Sequence, residues 1–313
     1  MKNSSFLPLV SIALATYNGE KYLVKQLDTL VNQTYKNVEI ICSDDGSTDD
    51  TLRILTDYSK KYDNFFLYKN ESTHGIKRNF ENALKYCKGT YISFSDQDDV
   101  WMLDKIEKLV IAIGDYSLVY HNSLFVDESG KSLNKTFSDV FRRYSGHNPL
   151  AYLLNNSVSG HALLFHRKLL KIALPFPDAR HHDWWLAFRA ADNGGIKFLD
   201  EVLVHYRQHQ NSETDFLHFK TKKIDFEKSE REHIEWYEAC ATAEGKYQNF
   251  IKEWVKVYKD RNNNKFNFKM FFMSLRHFNA LYFMRKKSRL SNLFFVLRSS
   301  WGDEFREKVR KLK

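Results

Sequence analysis

Short apolar runs of strand length alternate with helical patterns about every 25 residues through the first third of the chain, and most runs end in polar or acidic residues. Leu9 to Ala15 reads as a strand, followed by a helix over Glu20 to Asn32 with Tyr22, Leu23, Leu27, Leu30 and Val31 at helical spacing. Val38 to Cys42, a helix opening near Asp49, Phe65 to Tyr68, a helix over Gly75 to Cys87 and Tyr91 to Phe94 continue the alternation. Strands apolar on both faces need cover on both faces, so the pattern predicts an α/β, Rossmann-like fold. Its central sheet is mostly parallel with helices on either side.

Further on, the pattern predicts a helix from Asp104 to Ile113, strands Leu118 to His121 and Leu124 to Asp127, and a polar loop from about Gly130 to Ser145. A helix near Pro149 to Leu154, a strand His161 to His166, helices Arg167 to Ala173 and Asp183 to Asn193, and strand character ending at Val202 to Tyr206 complete this part. Beyond Asn211 only long helical periodicity remains, which predicts a division into residues 1–212 and a helical region 213–313.

The net charge of +9 is unevenly spread. Residues 252–313 hold 17 Lys and Arg against 5 Asp and Glu, leaving 31 against 34 for the rest. Basicity interleaved with Phe266, Phe268, Phe271, Phe272, Phe294 and other aromatics predicts that the tail meets an anionic membrane surface. The alternative is a helical appendage packing its aromatics on the rest of the protein. Nucleic acid is not an expected partner, because its recognition needs phosphate contacts and free stacking rings together.

Ala13-Leu14-Ala15 mimics a signal-peptidase site, but cleavage there would remove the first core strand. The longest uncharged stretch, Tyr144 to His166, is too polar to cross a bilayer. Cys42, Cys87 and Cys240 are too few and too scattered for a disulfide framework or a thiolate metal site, which fits a reducing compartment.

In open parallel sheets ligands bind beyond the carboxyl ends of the strands. Those ends carry Thr16-Tyr-Asn-Gly19, Ser43-Asp-Asp-Gly-Ser47 and Ser95-Asp-Gln-Asp-Asp99. Asp96 and Asp98, two apart on an extended segment, can both reach one hard divalent cation, Mg²⁺ or Mn²⁺, that bridges to substrate phosphates. Capping of the next helix is the bland alternative for this triplet, and a tight turn is the alternative for Asp44-Asp45-Gly46. Neither G-x-G-x-x-G nor G-x-x-x-x-G-K-[ST] occurs, so no glycine-rich cradle is available for phosphates.

Four ordered motifs, Val10-Ser-Ile-Ala-Leu-Ala-Thr-Tyr-Asn-Gly19, Ser43-Asp-Asp-Gly-Ser-Thr48, His74-Gly-Ile-Lys-Arg-Asn-Phe80 and Phe94-Ser-Asp-Gln-Asp-Asp-Val-Trp101, together resemble the family 2 glycosyltransferases of GT-A fold over roughly residues 8–212. His182-Asp-Trp-Trp185 and Tyr206-Arg-Gln-His209 are similar to the branch containing bacterial rhamnosyltransferases of cell-surface polysaccharide synthesis. The resemblance implies an inverting hexosyltransferase moving a sugar from a nucleoside diphosphate donor, dTDP-rhamnose first, to a lipid-linked glycan acceptor. It would work in the cytoplasm, peripherally on the inner face of the membrane.

Carried over, the resemblance implies that Thr16, Asn18 and Glu20 line the nucleotide pocket and that Asp45, beside Asp44, contacts the base or ribose. Arg78 and Asn79 then follow the diphosphate. Asp96 and Asp98 hold the metal, Asp183 is the catalytic base, and Trp184, Trp185, His161 and Arg207 belong to the sugar or acceptor pocket. Where many members carry Q-x-x-R-W, this chain has Tyr-Arg-Gln-His, which speaks against a processive polymerase and makes His209 a third metal ligand. UDP-hexose and UDP-galactofuranose donors, and a non-catalytic sugar-nucleotide-binding subunit, are the competing readings. A nucleotidyltransferase is disfavoured because it would need a glycine-rich basic loop near the N-terminus.

Overall fold

The structure, a computed structural model, describes residues 7–71, 74–209, 226–263 and 265–302. Nine strands form one sheet: β1 (Val10–Thr16), β2 (Val38–Asp44), β3 (Phe65–Lys69), β4 (Tyr91–Ser95), β5 (Val100–Trp101), β6 (Leu118–Val126), β7 (Ser132–Thr136), β8 (Leu163–His166) and β9 (Ile196–Arg207). Their order is β3-β2-β1-β4-β8-β6-β9-β5, with β7 on the side of β6.

The apolar runs are continuous because alternate residues enter different cores. In β1, Val10, Ile12 and Leu14 face a core shared with helices α1 (Glu20–Val31), α2 (Thr51–Lys61) and α4 (Lys105–Ile113), while Ala13 and Ala15 face the core under α3 (Ile76–Leu84). Helix α4 shows the matching stripe, Ile106, Leu109 and Ile113, all buried.

Register places the carboxyl ends together. Thr16 pairs with Asp44 and Leu14 with Ser95, so the loops after β1, β2 and β4 share one rim. The strand order reverses at β1, where a crevice is expected in a doubly wound sheet. The GT-A fold of the expectation stands, and the sheet is mixed. Four strand pairings are parallel and four antiparallel, because β8 is inserted antiparallel between β4 and β6.

Three details differ from the sequence reading. The two strands predicted over 118–127 are one strand, β6, whose register against β9 shifts at His121–Ser123, so the polar break is an irregularity in the ladder. The polar loop from Gly130 contains β7 and a one-turn helix α5 (Phe137–Val140) held by a capping box between Thr136 and Asp139. Val100–Trp101 extends antiparallel to β9.

The remaining helices are α6 (Ala151–Leu154), α7 (Leu170–Ala173), α8 (His182–Asp192), α9 (Phe226–Thr242), α10 (Gln248–Asp260), α11 (Phe268–Arg276), α12 (Phe278–Leu281) and α13 (Arg289–Ser299). The boundary expected near residue 212 lies outside the described residues. Trp236 and Trp254 of α9 and α10 belong to the same buried core as Phe94, Phe165 and Phe188. Trp236 is fully buried against Trp184 and Phe188, and its Nε1 donates to Leu153 O at 2.9 Å. Trp236→Ala should therefore cost ~3–5 kcal/mol of stability, read from urea unfolding, because it opens a large cavity and orphans a buried carbonyl. Among the described residues no helix is long and apolar enough to cross a membrane, and the three cysteines are buried and free.

Candidate active site

A cleft of about 1790 Å³ opens at the shared rim of β1, β2 and β4 and extends to the start of α8 and the end of β9. At one end Asp45 is held from three sides. Its Oδ1 accepts from Asn70 Nδ2 at 2.7 Å and lies 3.1 Å from His74 Nδ1, and its Oδ2 accepts from Gly75 N at 2.7 Å. Asn18, in the left-handed region with φ 46°, accepts from Thr48 N at 2.8 Å and so ties the β1 loop to the β2 loop.

Gln97 performs the corresponding tie to the β4 loop. Its amide accepts from Tyr17 N at 2.8 Å and donates to Tyr17 O at 3.0 Å. Gly19 makes this possible: a Cβ there would lie 2.3 Å from Gln97 Oε1. Asn79, buried on the cleft wall, donates to Thr16 O at 3.1 Å, and its Oδ1 has no hydrogen-bond partner among the described residues.

Carboxylates converge in the middle of the cleft. Asp98 Oδ2 lies 2.9 Å from His209 Nε2, both facing the cleft. Near them, ligand atoms of Asp96, Asp99 and His161 fall within 4.8 Å of one another. Asp99 is buried; its Oδ1 accepts from Arg207 N, and its Oδ2 has no hydrogen-bond partner among the described residues.

The buried ammonium of Lys105 enters the same region, donating to His161 O at 2.7 Å and lying over the Trp101 ring. Burial, reinforced by the charges of Asp98 and Asp183, pushes Asp96 up to about 7. Burial also raises Asp99 well above the usual carboxylate range and drives Lys105 well below the usual lysine value, against the opposing pull of Asp99 and Asp96. Lys105 thus sets an amine that holds its proton weakly beside the inner cluster, while the Asp98–His209 pair faces the cleft with an oxygen and a nitrogen donor of the kind a divalent ion takes.

Asp183 stands in the first turn of α8. Its Oδ2 accepts from Gly160 N at 3.1 Å and its Oδ1 from Asn156 Nδ2 at 3.4 Å. Burial raises its pKa, opposed by His181 and by the N–H groups of Trp184 and Gly160. Beside it the imidazole of His182 is enclosed by Phe80, Phe94 and Phe176, and burial holds its pKa at about 3, so it is neutral at physiological pH. A half-buried carboxylate lining the same cleft as the Asp98–His209 pair can accept a proton from a hydroxyl bound there.

The sequence profile described as "Glycosyl transferase family 2" matches residues 11–172. An uncharacterised glycosyltransferase of Rickettsia prowazekii is 34% identical over 224 residues, 69% of each chain. The chain belongs to glycosyltransferase family 2. Another relative of this glycosyltransferase, the "UDP-Glc:alpha-D-GlcNAc-diphosphoundecaprenol beta-1,3-glucosyltransferase WfaP" of Escherichia coli, is 31% identical over 211 residues, 66% of this chain and 80% of that one.

Two solved structures share the fold. S. aureus TarS 1–349 in complex with UDP-GlcNAc has a TM-score of 0.58 and 17% identity over 93% of this chain and 80% of its own. The mannosyltransferase PcManGT of Pyrobaculum calidifontis, with GDP-Man and Mn²⁺, has a TM-score of 0.53 and 15% identity over 95% of this chain and 86% of its own.

Of the residues expected at the site of this family 2 glycosyltransferase, Thr16, Asn18, Asp45, Arg78, Asn79, Asp96, Asp98, His161, Asp183, Trp184 and His209 line the cleft. Four do not. Asp44 is fully buried and spends its carboxylate on Gly46 N, Ser47 N, Ser47 Oγ and Thr16 Oγ1, which shapes the turn that presents Asp45. Glu20 is exposed off the wall and accepts from Asp50 N. Trp185 is core, donating to Ala173 O.

Arg207 is a strap: its guanidinium donates to the carbonyls of Asp98, Asp127 and Glu128 and stacks over Tyr22. Arg78 lines the cleft with its guanidinium already paired to Glu81 and Asp178. Gln97 and Lys105, to which the sequence assigns no role, fix Tyr17 and His161, and the Gly160 amide fixes Asp183.

Proposed function

We propose that this glycosyltransferase is inverting and metal-dependent. It transfers a hexose from a nucleoside diphosphate donor to a lipid-linked glycan acceptor in bacterial cell-surface polysaccharide synthesis, at the cytoplasmic face of the membrane. The carrying observation is that a fixed Asp45, the Asp98–His209 pair and a half-buried Asp183 line one cleft in that order of motifs. PcManGT with Mn²⁺ supports a divalent ion, and the UDP-GlcNAc and GDP-Man of the solved neighbours support a nucleoside diphosphate donor.

In this reading Asp45 accepts a hydrogen bond from the base or ribose, and Asn18 and Gln97 hold the three loops that bracket the nucleotide. Asp98 and His209, with Asp96 at hand, would hold the cation. When bound, it supplies positive charge to the departing diphosphate. Asp183 takes the proton of the acceptor hydroxyl. The new C–O bond forms at the anomeric carbon as the bond to the diphosphate oxygen breaks, with inversion, and the electron pair leaves on the nucleoside diphosphate. The Gly160 N–H and Asn156 amide orient the carboxylate, and burial raises its proton affinity, which favours its work as a base near neutrality.

The donor read from His182-Asp-Trp-Trp185 and Tyr206-Arg-Gln-His209 is dTDP-rhamnose. The UDP-Glc and diphosphoundecaprenol in the name of WfaP favour a second reading, a UDP-hexose transferase acting on a polyprenyl diphosphate glycan. A donor-hydrolysis screen separates them: purified protein with Mn²⁺ or Mg²⁺ against dTDP-, UDP- and GDP-sugars, each repeated with EDTA. Turnover of dTDP-rhamnose, lost with EDTA, is expected. Turnover of UDP-glucose alone selects the second reading, and EDTA-insensitive turnover rejects the metal.

A further inference from the structure

Helices α11 and α13 pack apolar side chains on the core, Met270, Phe271, Val296 and Phe295 among them, and carry a second set of apolar side chains that faces outward. On α11 the buried residues are Met270 and Ser274, while Phe268 and Phe272 are 67% and 62% exposed. On α13 the buried residues are Asn292 and Val296, while Leu290 and Phe294 are 63% and 62% exposed. A solvated helix turns its apolar stripe inward. Here an apolar stripe is left outside as well, while two polar side chains share the inner face: Asn292 accepts from Arg285, and Ser274 bonds the buried Tyr282 hydroxyl.

The two helices form one unit. Asn267 N donates to Ser300 O at 2.7 Å, Gly302 N donates to Lys265 O at 3.2 Å, and Phe266 bridges Trp301. Residues 265–302 contain eight Lys and Arg and no Asp or Glu, and Arg276, Lys287, Arg289 and Arg298 are exposed.

We propose that the outward faces of α11 and α13 dock on an anionic phospholipid bilayer. Exposed Phe and Leu supply the apolar contact, and the surrounding cations meet the headgroups. Charge selects this occupant over a second copy of the chain, since a self-complementary contact would press together two surfaces to which residues 265–302 bring eight cations and no carboxylate, Glu253 of α10 offsetting Lys269 alone. The docking face is also bolted to the cleft. Lys286 donates to Ser138 O and Asp139 O, and Arg142 N donates to Met284 O, while Phe137 and Phe141 of the same segment line the cleft wall. A docked enzyme therefore holds that lip at the membrane. Only this last consequence rests on the lipid-linked acceptor proposed above.

The test is flotation of the full chain with phosphatidylcholine vesicles, with and without phosphatidylglycerol. The wild type floats with the anionic vesicles alone, and raised salt releases it. Phe268→Ser/Phe272→Ser/Phe294→Ser lowers the floated fraction by about tenfold or more, with melting temperature and donor hydrolysis unchanged. A variant that floats like the wild type, a wild type that floats with neither vesicle, or a wild-type dimer that the variant splits into monomers by light scattering overturns the proposal. Should the triple variant lose its melting transition, Lys287→Glu/Arg289→Glu takes its place: the same drop is expected, and undiminished flotation refutes the docking face. Flotation is read without donor or acceptor, so its failure leaves the transfer reading untouched, and the reverse also holds.

Discussion

Asp183→Asn should lower sugar transfer by about two orders of magnitude or more, the size of a lost general base, while donor affinity stays as it is. The amide keeps the shape of the carboxylate and can still accept from Gly160 N, so the start of α8 is preserved and only the proton acceptor is lost. Two further readouts separate this role from simple helix capping. The carboxyl is raised above its ordinary value of 3.8 by burial, and it must be ionised to act as base. The acid limb of kcat/KM should therefore lie above the usual carboxylate range, with activity falling as pH drops through it, and the residual activity of the Asn variant should lack that limb.

Stability moves the other way. A carboxyl whose folded pKa lies above its unfolded value is favoured when protonated, so its folded-state advantage is present at low pH and is lost as pH rises through the folded value. At neutral pH the wild type carries the cost of a partly desolvated charge that Asn does not, so the variant should melt at a higher temperature. A variant that retains turnover, or that merely unfolds, would leave Asp183 as a cap.

The alternating units and the rim of acidic loops were legible because their causes are local. Val10, Ile12 and Leu14 on one face and Ala13 and Ala15 on the other need no knowledge of distant residues to read as a strand covered twice. Asp96 and Asp98 could be found by spacing alone. What spacing does not reveal is which of two adjacent carboxylates the turn consumes. Asp44 and Asp45 look alike in sequence, and only the burial of Asp44 under Ser47 and Thr16 distinguishes the brace from the carboxylate on the cleft wall.

Arg207 was misjudged for a related reason. An arginine next to a site motif reads as a ligand, whereas here three backbone carbonyls take its guanidinium. The mixed character of the sheet was hidden because Leu163–His166 is apolar in either strand direction. The tail aromatics divide into a packed set, including Phe271, Phe283 and Phe295, and an exposed set. Periodicity alone does not assign a helix face to protein or to membrane when both are apolar.

Asp98→Ala should abolish the divalent dependence of donor binding and lower turnover by about 100-fold or more, as expected when charge stabilisation of a leaving diphosphate is removed. Asp98 lines the cleft 2.9 Å from His209, with Asp96 also on the wall, whereas Asp99 is buried behind them near Lys105. If the exchangeable ion sits at Asp98 and His209, His209→Ala should weaken Mn²⁺ dependence in the same direction. Lys105→Met should instead act through the inner carboxylates: with their nearby cation gone, Asp96 and Asp99 become still harder to ionise, and the loss should grow less severe as pH rises. Calorimetric titration of a UDP- or dTDP-sugar with and without Mn²⁺, across these three variants and Asp99→Asn, reads the difference directly. Metal-dependent binding that survives in Asp98→Ala and vanishes in Asp99→Asn would move the ion to the inner cluster of Asp96, Asp99 and His161, and would require Lys105 to give up its proton or its place.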